Sequence, residues 1–116
     1  MSNWVEAGTT DELAEGAMKR VLVQGHEILL ARVRDRYYAA DNRCPHMGGN
    51  LSQGELDGTE VTCPRHGSRF DLTDGRVVRW LKGSGLLSMA GRLLKAPRPL
   101  GVYNVKIEGG RIMVEI

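Results

Sequence analysis

With 116 residues the chain is sized for one domain, 1–116, and its 41% of hydrophobic residues suffice for a modest core. Glycine occupies 15 positions, roughly twice its usual share, which favours turns and loops over a helical bundle. A net charge of +2, with the basic excess spread thinly over residues 75–116 and no aromatic-studded basic stripe, argues against nucleic acid as a partner. The elements then read in chain order. Thr10-Asp11-Glu12-Leu13 reads as a helix start or turn, ended by Gly16. Lys19–Val23, Glu27–Arg34 and Tyr37–Ala40 read as a three-stranded meander with short connections. Periodicity vanishes from Asp41 to Gly58, where Asn, Pro, Gly and Ser dominate. Glu60–Cys63 is a brief strand, Pro64–Gly67 a loop, and Phe70–Leu72 leads into a turn at Thr73-Asp74-Gly75. Val102–Ile107 and Arg111–Ile116 form a hairpin around Glu108-Gly109-Gly110. The expected fold class is therefore all-β.

The longest clean apolar run, Ile28-Leu29-Leu30-Ala31, is far too short to span a bilayer. The first twenty residues show no apolar run followed by a small-residue cleavage site, so the expected location is cytoplasmic. In a reducing compartment two cysteines serve metal ligation more readily than a disulfide.

The chemistry is concentrated in two irregular loops. One reads Cys44-Pro45-His46-Met47-Gly48-Gly49 and the other Cys63-Pro64-Arg65-His66-Gly67-Ser68. The pattern is Cys-x-His, sixteen residues, then Cys-x-x-His, and it holds both cysteines and two of the three histidines. Each loop supplies one thiolate and one imidazole, so two loops closing together could present four ligands. Such a set also suits tetrahedral zinc, and a zinc-stabilised interaction module is one reading of the four residues alone.

These motifs and their flanks resemble the Rieske [2Fe–2S] family, in which two His replace two Cys on one iron. The resemblance extends to Ser68-Arg69-Phe70-Asp71 before Gly75, to the proline-rich Ala96–Leu100, and to the C-terminal hairpin, so it covers roughly residues 18–79 and 96–116. It implies that Cys44 and Cys63 hold the inner iron, and that His46 and His66 hold the outer one through Nδ1. The implied fold is an antiparallel β-sandwich base carrying a small cluster-binding subdomain of two loops, about residues 42–72. The implied role is one-electron transfer from a flavin-dependent NAD(P)H reductase to a terminal oxygenase; an iron–sulfur redox sensor is the alternative within the same chemistry. A complete oxygenase needs a mononuclear iron with two further His and a carboxylate, and His26 alone is left over.

Two departures from the respiratory members matter. Gly49 and Arg65 stand where those carry a disulfide-forming cysteine, and Phe70 stands at their tyrosine; Ser68 matches their other hydroxyl donor. The pattern resembles the soluble ferredoxin branch serving aromatic-ring oxygenases. With two ferric ions, two sulfides, two thiolates and two neutral imidazoles the oxidised cluster is uncharged, which raises its potential above all-Cys clusters. The family spans roughly −150 to +300 mV, and fewer sulfur hydrogen bonds place this chain toward the lower end.

The remaining features have plainer readings. His26 reads as a solvated turn residue, and Trp4 and Trp80 as packing residues. Arg43, Arg65 and Arg69 flank the ligands as either a solvated rim or a docking surface. An inserted segment, about 81–95, repeats Leu86, Met89, Ala90, Leu93 and Leu94 at helical spacing. It reads as a helix covering the sheet, as a partner-docking piece, or as a weak peripheral membrane contact.

Overall fold

The computed structural model describes residues 3–45, 48–65, 67–79 and 98–116. Along them run strands β1 (Trp4–Thr9), β2 (Met18–Val23), β3 (His26–Val33), β4 (Arg36–Asp41), β5 (Glu55–Asp57) and β6 (Glu60–Thr62). Then follow β7 (Arg69–Asp71), β8 (Val77–Arg79), β9 (Val102–Tyr103), β10 (Val105–Glu108) and β11 (Arg111–Glu115). Two single 3-10 turns, Thr10–Glu12 and Leu51–Gln53, complete the described elements. All strand pairing is antiparallel, in three sheets ordered β1-β11-β10, β2-β3-β4-β9 and β5-β6-β7-β8. The expected all-β architecture is what the chain adopts.

The apolar run Ile28–Ala31 explains the layering. A strand sends successive side chains to opposite faces, so four consecutive buried residues need cover on both sides. Ile28 and Leu30 join Val23, Ala39, Ile112 and Val114 in a core against the β1-β11-β10 sheet. Leu29 and Ala31 face the other way, into a second core with Ala40, Leu51, Val61, Phe70 and both cysteines. The middle sheet is thus the floor on which the β5–β8 sheet and its loops rest. Phe70, the chain's single phenylalanine, is fully buried in that second core. Truncating such a side chain to alanine costs about 3–5 kcal/mol, a large share of the stability of any small domain.

Three strands lack a readable sequence pattern. β5 and β8 have three residues each, too few to show alternation. β1 alternates weakly, because its inward positions are only Val5 and Ala7 and its register shifts between Glu6 and Gly8. The expected single strand Val102–Ile107 is broken at Asn104, where the chain leaves β4 for β11 and so changes sheets. Asn104 makes that corner, accepting from the Glu115 amide (3.0 Å) and donating Nδ2 to Glu115 (2.8 Å). The insert at 81–95, with Trp80, lies outside the described residues. Among those described, no helix is long and apolar enough to cross a membrane. His26 begins β3, exposed, with its ring edge-on to Tyr103. Trp4 lies in β1 beneath the Lys106 ammonium, 4.5 Å from the ring centre.

A buried polar hub fastens the chain as it leaves β4. Asn42 is fully buried; its Nδ2 donates to Glu27 (2.7 Å) and Asn50 (2.6 Å), and its Oδ1 accepts from the Ser52 amide (2.9 Å). Glu27 also receives Arg20 (3.0 Å) and Arg43 (3.1 Å). Hydrogen bonds from Arg20 first, then Asn42 and Arg43, hold the Glu27 carboxyl down to about 2 against its ordinary 4.5. The folded carboxyl therefore stays ionised where an unfolded chain already takes up a proton. Its stabilising effect is complete above about pH 4.5 and fades as pH falls toward about 2. The melting-temperature advantage of the wild type over Glu27→Gln should be constant at neutral pH and shrink through that acid window. An advantage independent of pH across it would contradict the ionised hub.

Candidate metal centre

The two cysteine loops are built alike. Both begin Cys-Pro and carry glycine at the fifth position. In the first, the Gly48 amide donates to the Cys44 carbonyl (2.7 Å) and the Cys44 amide to the Gly49 carbonyl (2.8 Å). In the second, Gly67 donates to Cys63 (3.0 Å) and Cys63 to the Ser68 carbonyl (2.7 Å). Gly48 and Gly67 take φ of +73° and +77°, a left-handed turn that side chains resist, so the glycines are required. The stems correspond as well: Arg43 bridges Asn50 just as Thr62 pairs with Arg69. One six-residue loop is used twice, each time with a cysteine at its entrance.

Both cysteines are buried, at 3% and 2% exposure, and are not joined in a disulfide. The loops abut. A methyl group added at Gly49 would lie 2.6 Å from Cys63 Sγ and 3.3 Å from Arg65 Cβ. The cysteine-for-glycine departure noted in the sequence thus falls at a close contact between loop one and the sulfur of loop two. Gly54 is equally constrained, since a Cβ there would collide with the Thr62 carbonyl. Ser68 is fully buried beside Cys63, and Phe70 is fully buried beyond it. His46 and His66 lie outside the described residues, two positions after Cys44 and three after Cys63. Two cysteines buried in one core, with Gly49 of loop one against the sulfur of loop two and an imidazole-bearing residue in the sequence of each loop, form a soft S and N donor set that fits an iron–sulfur cluster.

The loops are braced from outside by arginines. Arg43 donates to the Gly48 carbonyl (3.2 Å), Arg98 to the Pro45 carbonyl (3.3 Å) and Arg79 to the Gly67 carbonyl (3.0 Å). Arg98 arrives from the proline-rich segment. That segment is tied down where the Leu100 amide donates to the Gly75 carbonyl (2.7 Å), and Gly75, at φ +82°, presses against the Leu100 carbonyl. The turn before it is closed by Asp71, which accepts from the Thr73 amide and hydroxyl and pairs with Arg76 at 3.0 Å. Asp71 is held below its ordinary value although burial alone pushes it up, because hydrogen bonds from Thr73, then Thr59, and then the charge of Arg76 outweigh that penalty. Sequence reasoning marked Arg43 as either a solvated rim or a docking residue and did not connect Arg79 and Arg98 with the loops, because their partners are backbone atoms. No spacing rule announces such contacts.

The family description "Rieske [2Fe-2S] domain" matches residues 3–88. The chain belongs to the Rieske [2Fe–2S] family. It is 36% identical over 113 residues to the ferredoxin component of the naphthalene 1,2-dioxygenase system of Pseudomonas aeruginosa, covering 97% of this chain and 95% of that protein. Its fold matches the ferredoxin of carbazole 1,9a-dioxygenase from Nocardioides aromaticivorans IC177 with a TM-score of 0.79, 29% identity and 97% of each chain covered. It also matches a chain in a complex of reduced oxygenase and oxidised ferredoxin of carbazole 1,9a-dioxygenase (TM-score 0.76, 28% identity, 97% and 92% covered). This Rieske protein is a ferredoxin, the component of a dioxygenase system that transfers electrons to the terminal oxygenase. A [2Fe–2S] cluster is its family's cofactor.

The Gly49 contact yields a direct test. Gly49→Ala should lower iron and acid-labile sulfide per chain, because its methyl group occupies space held by Cys63 Sγ. Gly58→Ala, at a turn with nothing nearby, is the control for a merely destabilised fold and should keep its full complement. Equal cluster content in both variants would contradict the close approach of the loops.

Proposed function

We propose that Cys44, His46, Cys63 and His66 hold the [2Fe–2S] cluster, the cysteines on one iron and the histidines on the other. The observation that carries this reading is the duplicated loop closure, which buries Cys44 and Cys63 in one core, while the sequence of each loop carries one histidine. When bound, the cluster accepts and releases a single electron. The chain's own residues do the rest. The apolar layer of Leu29, Leu51, Val61 and Phe70 excludes water from beneath the sulfurs. Guanidinium groups on the Pro45, Gly48 and Gly67 carbonyls place positive charge around the loops, favouring the added electron. Ser68, the fully buried last residue of the second loop, serves in this reading as the hydroxyl donor to the centre.

The relatives' dioxygenase systems support an acceptor that oxidises an aromatic compound, with a flavoprotein reductase as donor. The whole chain, 1–116, acts as one domain around loops at about 42–72.

The purified protein should carry two irons and two acid-labile sulfides, and His66→Cys should move its spectrum toward that of an all-thiolate cluster. Colourless, well-folded protein with stoichiometric zinc would contradict the assignment. Ser68→Ala should lower the reduction potential and Phe70→Tyr should raise it, the hydroxyl bond being worth at most about 1.5–3 kcal/mol. Voltammetry showing both potentials unchanged would remove Ser68 from the centre.

A further inference from the structure

Beside loop two an open groove is lined by Arg65, Arg69 and Arg79 together with Cys63 and Pro64. Arg69 and Arg79 are direct partners across β7 and β8, and like charges placed directly opposite each other destabilise a sheet. The register shift between Arg69 and Phe70 sets this pair at a bulge, a feature that re-aims side chains. Arg69 has Glu60 at 3.5 Å and Thr62 at 3.0 Å, Arg79 has the Gly67 carbonyl, and among the described residues that line the groove Glu55 is the acidic one. Arg43 and Arg98 line a second groove along loop one, where the acid is Asp41, already bound by the Tyr103 hydroxyl at 2.6 Å. Cationic side chains therefore stand on both sides of the cysteine loops.

We propose that the Arg65–Arg69–Arg79 groove is the docking surface for a carboxylate-bearing segment of the terminal oxygenase, with Arg43 and Arg98 extending the positive rim across loop one. The proposal rests on the reading of this chain as that oxygenase's electron donor. A glutamate or aspartate of the partner, seated between Arg69 and Arg79, relieves their repulsion and brings the acceptor against the cysteine loops. Guanidinium forks suit paired contacts to carboxylates. The cross-strand repulsion is tolerated in the free protein because its relief belongs to the complex.

The test is the rate at which reduced protein passes electrons to the oxygenase, followed by stopped flow from low to high sodium chloride. Wild type should slow steeply as salt rises. Arg65→Glu/Arg69→Glu should react about tenfold or more slowly at low salt and lose most of the salt dependence, with iron content and spectrum unchanged. Arg36→Glu, at the start of β4 and so at the end of that strand away from the cysteine loops, should behave as wild type. The unmodified protein's salt dependence stands as evidence even where the double variant folds poorly. Acceleration with salt, or an intact double variant at wild-type rate, overturns the proposal. So does a loss confined to reduction by the flavoprotein. Binding of fluorescein-labelled hexaglutamate, read by anisotropy, should weaken about tenfold in the double variant and needs no electron transfer, so failure of the groove and failure of the carrier role are separable. Inorganic phosphate displacing that peptide as well as unlabelled hexaglutamate does, at equal ionic strength, also overturns it.

Discussion

Everything about this protein depends on bringing two short loops, nineteen residues apart in sequence at their cysteines, into contact over a dry floor. Each loop is closed by the same two backbone hydrogen bonds, with a left-handed glycine where the chain must reverse. A backbone ladder cannot continue through such a turn, so the β5–β8 sheet stays small and its strands are only three residues long. Stability has to come from elsewhere. It comes from the middle sheet, whose β3 is buried on both faces and supports a core on each side.

The fold was readable where hydrophobic alternation is long and unreadable where geometry is made by backbone contacts. The meander of β2, β3 and β4 follows from its apolar periodicity. The C-terminal hairpin follows from Glu108-Gly109-Gly110, whose two glycines both take positive φ. The sheet change at Asn104 carries no such signature, because Val102, Tyr103 and Val105 look like one strand until their partners are known. At the site, Cys44 and Cys63 were identifiable from loop composition alone. Asn42 was not: a buried asparagine has the same letter as an exposed one, and only its three hydrogen bonds distinguish it.

The loop disulfide of respiratory members has no counterpart here, and the structure indicates what stands in its place. Gly49 lets loop one lie directly on the sulfur of Cys63. Arginines from three parts of the chain, Arg43, Arg79 and Arg98, hold loop carbonyls from outside. A covalent clamp fixes two loops regardless of charge. A cationic brace fixes them while also surrounding the centre with positive potential, so support, electron affinity and partner recognition come from the same side chains. Glu27 keeps this arrangement from being purely repulsive by joining Arg20 and Arg43 through one carboxylate.

The central claim is that one histidine from each loop completes the ligand set begun by the two buried cysteines. Pulsed electron paramagnetic resonance of the reduced protein, labelled with nitrogen-15 only at histidine, tests it most directly. The account predicts two strongly coupled histidine nitrogens, one lost on changing His46 and the other on changing His66, with both kept when His26 is changed. A spectrum without strong nitrogen coupling, or coupling that disappears with His26, would contradict it.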